Sequence, residues 1–171
     1  MKKVIFTILA LSIAPFTFAQ KANQLRIGFE LGKTLPSNGT NNTSFAFEAK
    51  YNLKKNLNIG LREVLTTEVS TNSAMLLTSD YYFHKEGNSI APFVGIGAGP
   101  YLPGIIKPSN DSFQYEITDP NNTIRLDATV RAGFEFSKFR FTTEYNMVPS
   151  ASQKNYLNIS FGIFLDGGRW K

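Results

Sequence analysis

The sequence predicts an all-β fold, an eight-stranded antiparallel up-and-down transmembrane β-barrel. Three observations predict it: segments in which apolar and polar residues alternate with a period of two, connections that alternate between long and short, and a secretory leader ahead of them. Successive side chains of a strand point to opposite faces, so each such segment carries one greasy face and one polar face. No apolar stripe at helical spacing competes with this pattern.

Residues 1–19 read as a signal peptide. Lys2 and Lys3 precede the apolar run Val4 to Phe16, and Ala19 stands before the cut. The run is too short to span a bilayer comfortably, and the chain turns polar at Gln20 and Lys21. Residues 20–171 are then one barrel domain. The formal net charge of +5 falls when Lys2 and Lys3 leave, and no run of Lys and Arg invites nucleic acid. The absence of cysteine excludes disulfides, a Cys-based zinc site and a lipidated N-terminal cysteine together. Beyond the leader no apolar stretch approaches the roughly 20 residues of a spanning helix, so any membrane contact must be made by strands or by the surface.

The first strand places Leu25, Ile27, Phe29 and Leu31 opposite Arg26, Gly28, Glu30 and Gly32. The second sets Phe45, Phe47, Ala49, Tyr51 and Leu53 against Ala46, Glu48, Lys50 and Asn52; the third sets Leu57, Ile59 and Leu61 against Asn58, Gly60 and Arg62. In the fourth, 74 to 84, Met75, Leu77, Tyr81 and Phe83 oppose Leu76, Thr78, Asp80 and Tyr82. The fifth, 90 to 101, puts Gly95, Gly97 and Gly99 on one face, which suits a crowded place where another group comes close. The sixth, "IRLDATVRAGFEF" (124 to 136), alternates without a slip. The seventh opposes Phe139, Phe141, Thr143 and Tyr145 to Arg140, Thr142 and Glu144, and the eighth Leu157, Ile159, Phe161, Ile163 and Leu165 to Asn158, Ser160, Gly162 and Phe164. Long connections (34 to 43, 68 to 72, 102 to 123, 148 to 155) alternate with short ones (54 to 56, 85 to 89, and Ser137 with Lys138), so the longer loops emerge at one end of a meander.

Alternation alone does not say which face is inside. A soluble, lipocalin-like barrel turns its apolar side inward, and an outer-membrane barrel turns it to lipid. Three details favour the second. The polar face is rich in small residues (Gly28, Gly32, Ala46, Gly60, Gly133, Ser160, Gly162), as a narrow eight-stranded lumen requires. Lysines mostly avoid the strands, Lys50 excepted, while arginines suited to packed multidentate pairing occupy them. The polar-face charges also balance: Arg26, Arg62, Arg125, Arg131, Arg140 and Lys50 match Glu30, Glu48, Asp80, Asp127, Glu135 and Glu144, the expected lumen ion-pair network. Tyr51, Tyr81, Phe83, Tyr101, Tyr145 and Tyr156 fall near strand ends, where interfacial girdles sit.

With these features in place, the chain resembles the small outer-membrane β-barrel family of the OmpA, OmpX and OmpW kind. It resembles in particular a Bacteroidetes form with "FAQ" at the cleavage point and a glycine-rich basic tail, here "FLDGGRWK". The resemblance covers the mature chain and rests on pattern. The family's assembly signal in the last strand is met partly by Ser160, Gly162 and Phe164, while the chain runs on to Trp170 and Lys171. It implies a Gram-negative outer-membrane location, lipid as the surrounding partner, the barrel assembly machinery as partner during biogenesis, and a monomer.

Little in the chain suggests chemistry. The lone His84 lies beside the Lys85 turn, at the periplasmic end, away from the outer surface where lipid A deacylases of this barrel size place a His and a Ser. Without a second His or a Cys, metal ligation is not expected, and no cofactor is. Asp127 and Glu135 stand eight residues apart on one strand, over ~20 Å, too far for an acid–base pair. "GIGAG" (95 to 99) continues as a strand, without the helix a phosphate loop needs. The long loop 102 to 123 carries Ile105, Ile106, Phe113, Tyr115 and Ile117, more apolar than a solvated loop needs, and is the expected contact surface for an extracellular partner. The expectation is a non-enzymatic barrel with a role in envelope structure, adhesion or partner binding. The alternatives are a narrow porin-like or OmpW-like transport channel for small molecules, and a secreted lipocalin-like binder.

Overall fold

The computed structural model describes residues 22–36, 42–67, 71–83, 90–108, 115–116, 124–148 and 155–169. The barrel wall consists of β1 (Gln24–Pro36), β2 (Asn42–Lys54), β3 (Leu57–Thr67), β4 (Thr71–Tyr82) and β5 (Ile90–Pro108). After a two-residue β6 (Tyr115–Glu116) it continues with β7 (Arg125–Phe136), β8 (Phe139–Met147) and β9 (Tyr156–Arg169). Each wall strand pairs antiparallel with its neighbours in order, β4 pairs with β5, and β1 pairs with β9, which closes the ring. Closure removes the unpaired edges that lipid could not satisfy. The short β6 lies outside the wall and pairs with Lys107 and Pro108 at the far end of β5.

The strands run further than side-chain alternation indicates. Ladder hydrogen bonds need only backbone, so pairing continues where the apolar–polar pattern has ended. β1 and β2 reach Pro36 and Asn42, taking up the ends of the expected loop 34 to 43. The first part of the expected loop 102 to 123 is likewise strand, since β5 reaches Pro108 with Ile106 opposite Thr71. The length alternation also fails once. Thr66 and Thr67 pair with Asn72 and Thr71, so only residues 68–70 separate β3 from β4 at the end expected to carry long loops. The β4–β5 connection at the other end spans more, 83–89. β-branched threonines fit the pleat and extend this hairpin. At the turn between β7 and β8, Ser137 adopts φ 56°, which reverses the chain in two residues.

The two faces separate cleanly. Phe29, Leu77 and Ile96 are 56%, 59% and 65% exposed on the outside, whereas Glu48, Lys50, Arg62, Asp80 and Arg140 are fully buried on the inside. No soluble barrel would invert its faces this way, because water would hydrate the charges and drive the phenylalanines inward. Tyr51, Tyr81, Phe83 and Tyr145 point outward, with Tyr81 and Phe83 in edge-on contact at 5.3 Å. Two of the expected girdle residues do not. Tyr101 and Tyr156 are buried in the lumen, because each shares parity with the inward residues of its strand, Gly99 on β5 and Asn158 on β9.

Candidate functional site: the lumen

The lumen has a turn end, where the short connections and the starts of β1, β3, β5 and β8 lie, and a loop end, where the longer connections leave the barrel. From the turn end to mid-barrel it is filled by one ion-pair network. Arg140 reaches Asp80 at 3.0 Å, Glu135 at 2.9 Å and Glu30 at 3.5 Å, and its Nε donates to Thr142 Oγ1 at 2.9 Å. Arg131 holds Asp80 at 2.7 Å and Glu48 at 2.6 Å. Arg62 spans Glu30 at 3.0 Å, Glu48 at 3.3 Å and Glu144 at 3.1 Å. Lys50 pairs with Asp80 and, at 3.3 Å, with Glu48, and Arg26 pairs with Glu135 at 2.8 Å. Charges taken out of water at such cost require this density of partners, and Glu30, Glu48, Asp80 and Glu135 each meet several donors, while Glu144 meets Arg62.

Neutral groups complete the network. Tyr82 donates to Glu135 at 2.6 Å and accepts from Arg140 at 3.0 Å; Thr78 donates to Glu48 at 2.9 Å, and Ser160 donates to Glu30. The Arg140 guanidinium lies 3.8 Å from the centroid of the Phe93 ring, and Lys50 and Arg26 lie 5.0 and 5.1 Å from that of Phe164. Glycine makes this packing possible. A Cβ on Gly28 would overlap the Phe164 ring, and one on Gly95 would overlap the Asp80 carboxylate. Tyr82, Phe93 and Phe164 floor the network at the turn end, a role that polar-face parity alone does not announce for aromatic residues.

Towards the loop end the lumen has two unlike walls. Ala46, Val64, Ala74, Leu76 and Tyr101 on β2 to β5 form an apolar cluster that reaches across to Val148 and Tyr156. Opposite it, the register places Thr34 beside Asn158, Asn158 beside Glu144, Tyr156 beside Asn146 and Asn146 beside Thr129, a polar band across β1, β9, β8 and β7. Asp127 joins this band by accepting from the Tyr156 hydroxyl at 3.4 Å.

Of the twelve charged residues expected in the lumen network, ten are joined by the ion pairs above and two are not. Asp127 is buried, but no cation pairs with it among the described residues. Arg125, the first residue of β7, is only half-buried at the mouth, opposite Tyr101. The six-to-six balance expected from the sequence therefore becomes five bases against six acids among the fully buried described residues: Arg26, Lys50, Arg62, Arg131 and Arg140 against Glu30, Glu48, Asp80, Asp127, Glu135 and Glu144. Of the expected loop contacts, the backbone of Ile105 and Ile106 belongs to β5 and that of Tyr115 to β6. Their side chains, together with Phe113, Ile117, His84 and the leader 1–19, lie outside the described residues.

One charge sits on the wrong face. Glu63 shares parity with Leu61 and Leu65, faces outward between Phe47 and Met75, and lines an external groove of about 590 Å³ with Phe29, Phe45, Phe47 and Phe161. Extending the alternation of β3 two residues past Leu61 would have found it.

No family model matches the sequence, and no curated protein does. Solved structures do match. The N-terminal β-barrel domain of Pseudomonas aeruginosa OprF is similar with a TM-score of 0.56 at 15% identity, covering 85% of this chain and 100% of that one. Neisserial surface protein A is similar with a TM-score of 0.58 at 12% identity, over 83% and 95% of the two chains. The outer membrane enzyme PagL is similar with a TM-score of 0.53 at 12% identity, over 82% and 98%. At these identities the likeness is one of fold, and it does not reach the Bacteroidetes form that the leader and tail suggest. Its fold is that of the small eight-stranded outer-membrane β-barrels, of OmpA/OmpX-like architecture, and its apolar outward face fits it to a bilayer.

Proposed function

We propose that the protein is a non-enzymatic, non-conducting outer-membrane barrel, which works through what its connections present at the loop end. The observation that carries this is the lumen network: arginines from β3, β7 and β8 meet carboxylates from β1, β2, β4, β7 and β8 with no exposed atom at the core of the cluster. A water path would have to break several charge-assisted bonds at once. The serine and threonine hydroxyls that donate to carboxylates among the described residues, Ser160 on Glu30 and Thr78 on Glu48, are sealed inside the same cluster, out of reach of any substrate. The outer membrane enzyme PagL shares this fold, so the non-enzymatic reading rests on this sealing and not on the architecture.

The role is then envelope structure, adhesion or partner binding, with residues 102–123 as the contact surface, a mature domain of residues 20–171 after removal of 1–19, and a monomer delivered by the barrel assembly machinery. Three measurements test this. The refolded protein in planar bilayers should give no discrete conductance, and ohmic openings would replace this reading with the transport one. Host outer membranes should contain the protein with a gel mobility that shifts on boiling. Deleting residues 104–118 should abolish cell-surface binding phenotypes without altering that shift, and a deletion without any binding phenotype counts against the loop.

A further inference from the structure

We infer that the loop-end half of the lumen is a binding site for one hard monovalent cation, held by Asp127 with the side-chain oxygen of Asn146, its diagonal neighbour across the β7–β8 ladder. Two independent observations converge there. The first is charge: the buried acids exceed the buried bases by one among the described residues, and Asp127 is the acid that no guanidinium or ammonium meets. Its neighbour in the band, Glu144, shares Arg62 with Glu30 and Glu48. A buried carboxylate without a counter-charge is costly, so a compensating positive charge belongs beside it.

The second observation is hydrogen bonding. Ten buried side-chain polar atoms among the described residues have no hydrogen bond within the protein. Seven of them fall in this one band: Thr34 Oγ1, Asp127 Oδ1, both Glu144 oxygens (of which Oε2 is nonetheless ion-paired with Arg62 at 3.1 Å), both amide atoms of Asn146 and Asn158 Nδ2. Asn146 is 1% exposed, and its amide is set by register between the Tyr156–Asp127 contact on one side and Glu144, two residues earlier on its own strand, on the other. Buried polar atoms are ordinarily satisfied, and a cluster of unsatisfied ones marks a place built for a guest.

The donor set names the guest. A carboxylate and an amide oxygen are hard ligands, which favour alkali or alkaline-earth ions over metals that seek nitrogen or sulfur. A single excess negative charge calls for a single positive one, so a sodium- or potassium-sized ion completes the balance. The amide nitrogens of Asn146 and Asn158 and the Thr34 hydroxyl remain to orient the ion's own water.

The test uses the refolded barrel in vesicles of zwitterionic choline lipid. The temperature at which the boiled-form gel mobility appears is measured in sodium, potassium or choline chloride at one ionic strength and one pH. Sodium or potassium should raise that temperature by about 3 to 6 °C over choline at tenfold saturation, with a hyperbolic dependence on concentration. Asp127→Asn should remove the dependence while leaving the folded mobility intact. Should that variant not fold, thallium-205 resonance broadening on the wild-type barrel, competed by sodium, reads the site directly. Equal temperatures in sodium, potassium and choline overturn the inference, as does a cation effect that survives in Asp127→Asn. Stability that responds to pH and not to cations also overturns it, and means that a proton on Asp127 supplies the balance.

Discussion

The two halves of one lumen are both lined by buried polar side chains and solve opposite problems. At the turn end and mid-barrel, Arg26, Lys50, Arg131 and Arg140 each meet at least one carboxylate, and Tyr82, Thr78 and Ser160 fill the remaining bonding positions. At the loop end, Asp127, Glu144, Asn146 and Asn158 each keep at least one buried polar atom without a hydrogen bond among the described residues, beside an apolar cluster that runs from Ala46 to Tyr156. The difference teaches that a barrel of this size can be plugged and still keep a polar chamber, provided the plug is confined to one half. Arg62 marks the border, since it pairs with Glu30 and Glu48 on one side and Glu144 on the other.

The comparison breaks most readily at its tightest point. Arg140→Ala would leave Asp80 and Glu135 short of a counter-charge inside a buried cluster, and should cost about 3–5 kcal/mol of stability. Urea unfolding in lipid vesicles measures this, and the same variant is the one expected to admit ion conductance. Next comes Gly28→Ala, which drives a methyl group into the Phe164 ring and should cost about 1–3 kcal/mol in the same assay. Pairing it with Phe164→Leu should recover part of that loss, which separates overpacking from loss of the ring. The lipid face supplies a contrast of opposite sign: Glu63→Leu removes a carboxylate from the apolar belt and should stabilise the barrel by ~1–2 kcal/mol in bilayers, with no such gain in detergent micelles. The smallest effect belongs to the loop-end chamber. Thr34→Val replaces a hydroxyl that bonds nothing in the protein and should shift stability by less than ~1 kcal/mol. A loss as large as that of Arg140→Ala would mean that the two halves form a single cooperative network.

Much of this architecture was legible from period-two patterning. Parity put Arg62, Asp80, Arg131 and Arg140 inside and Phe29, Leu77 and Phe161 outside, because lipid and lumen impose opposite demands on alternate positions. Parity could equally have placed Tyr101 and Tyr156, but their chemistry and position near strand ends suggested the interface instead, and the structure turns both inward. Strand ends were less legible, since β5 continues to Pro108 on backbone bonds that leave no side-chain signature. Partner choice was not legible at all. Equal numbers of acids and bases say nothing of which meet, and only the wrap of the barrel brings Arg26 to Glu135 across 109 positions.

The seam between β1 and β9 joins the two ends of the chain, with Gln24 opposite Arg169. Until the last strand arrives, the ring is an open ribbon with two bare edges, and the charged interior is open to the bilayer. The wall is therefore complete only when β9 pairs with both β8 and β1; without that strand two bare edges flank a charged interior.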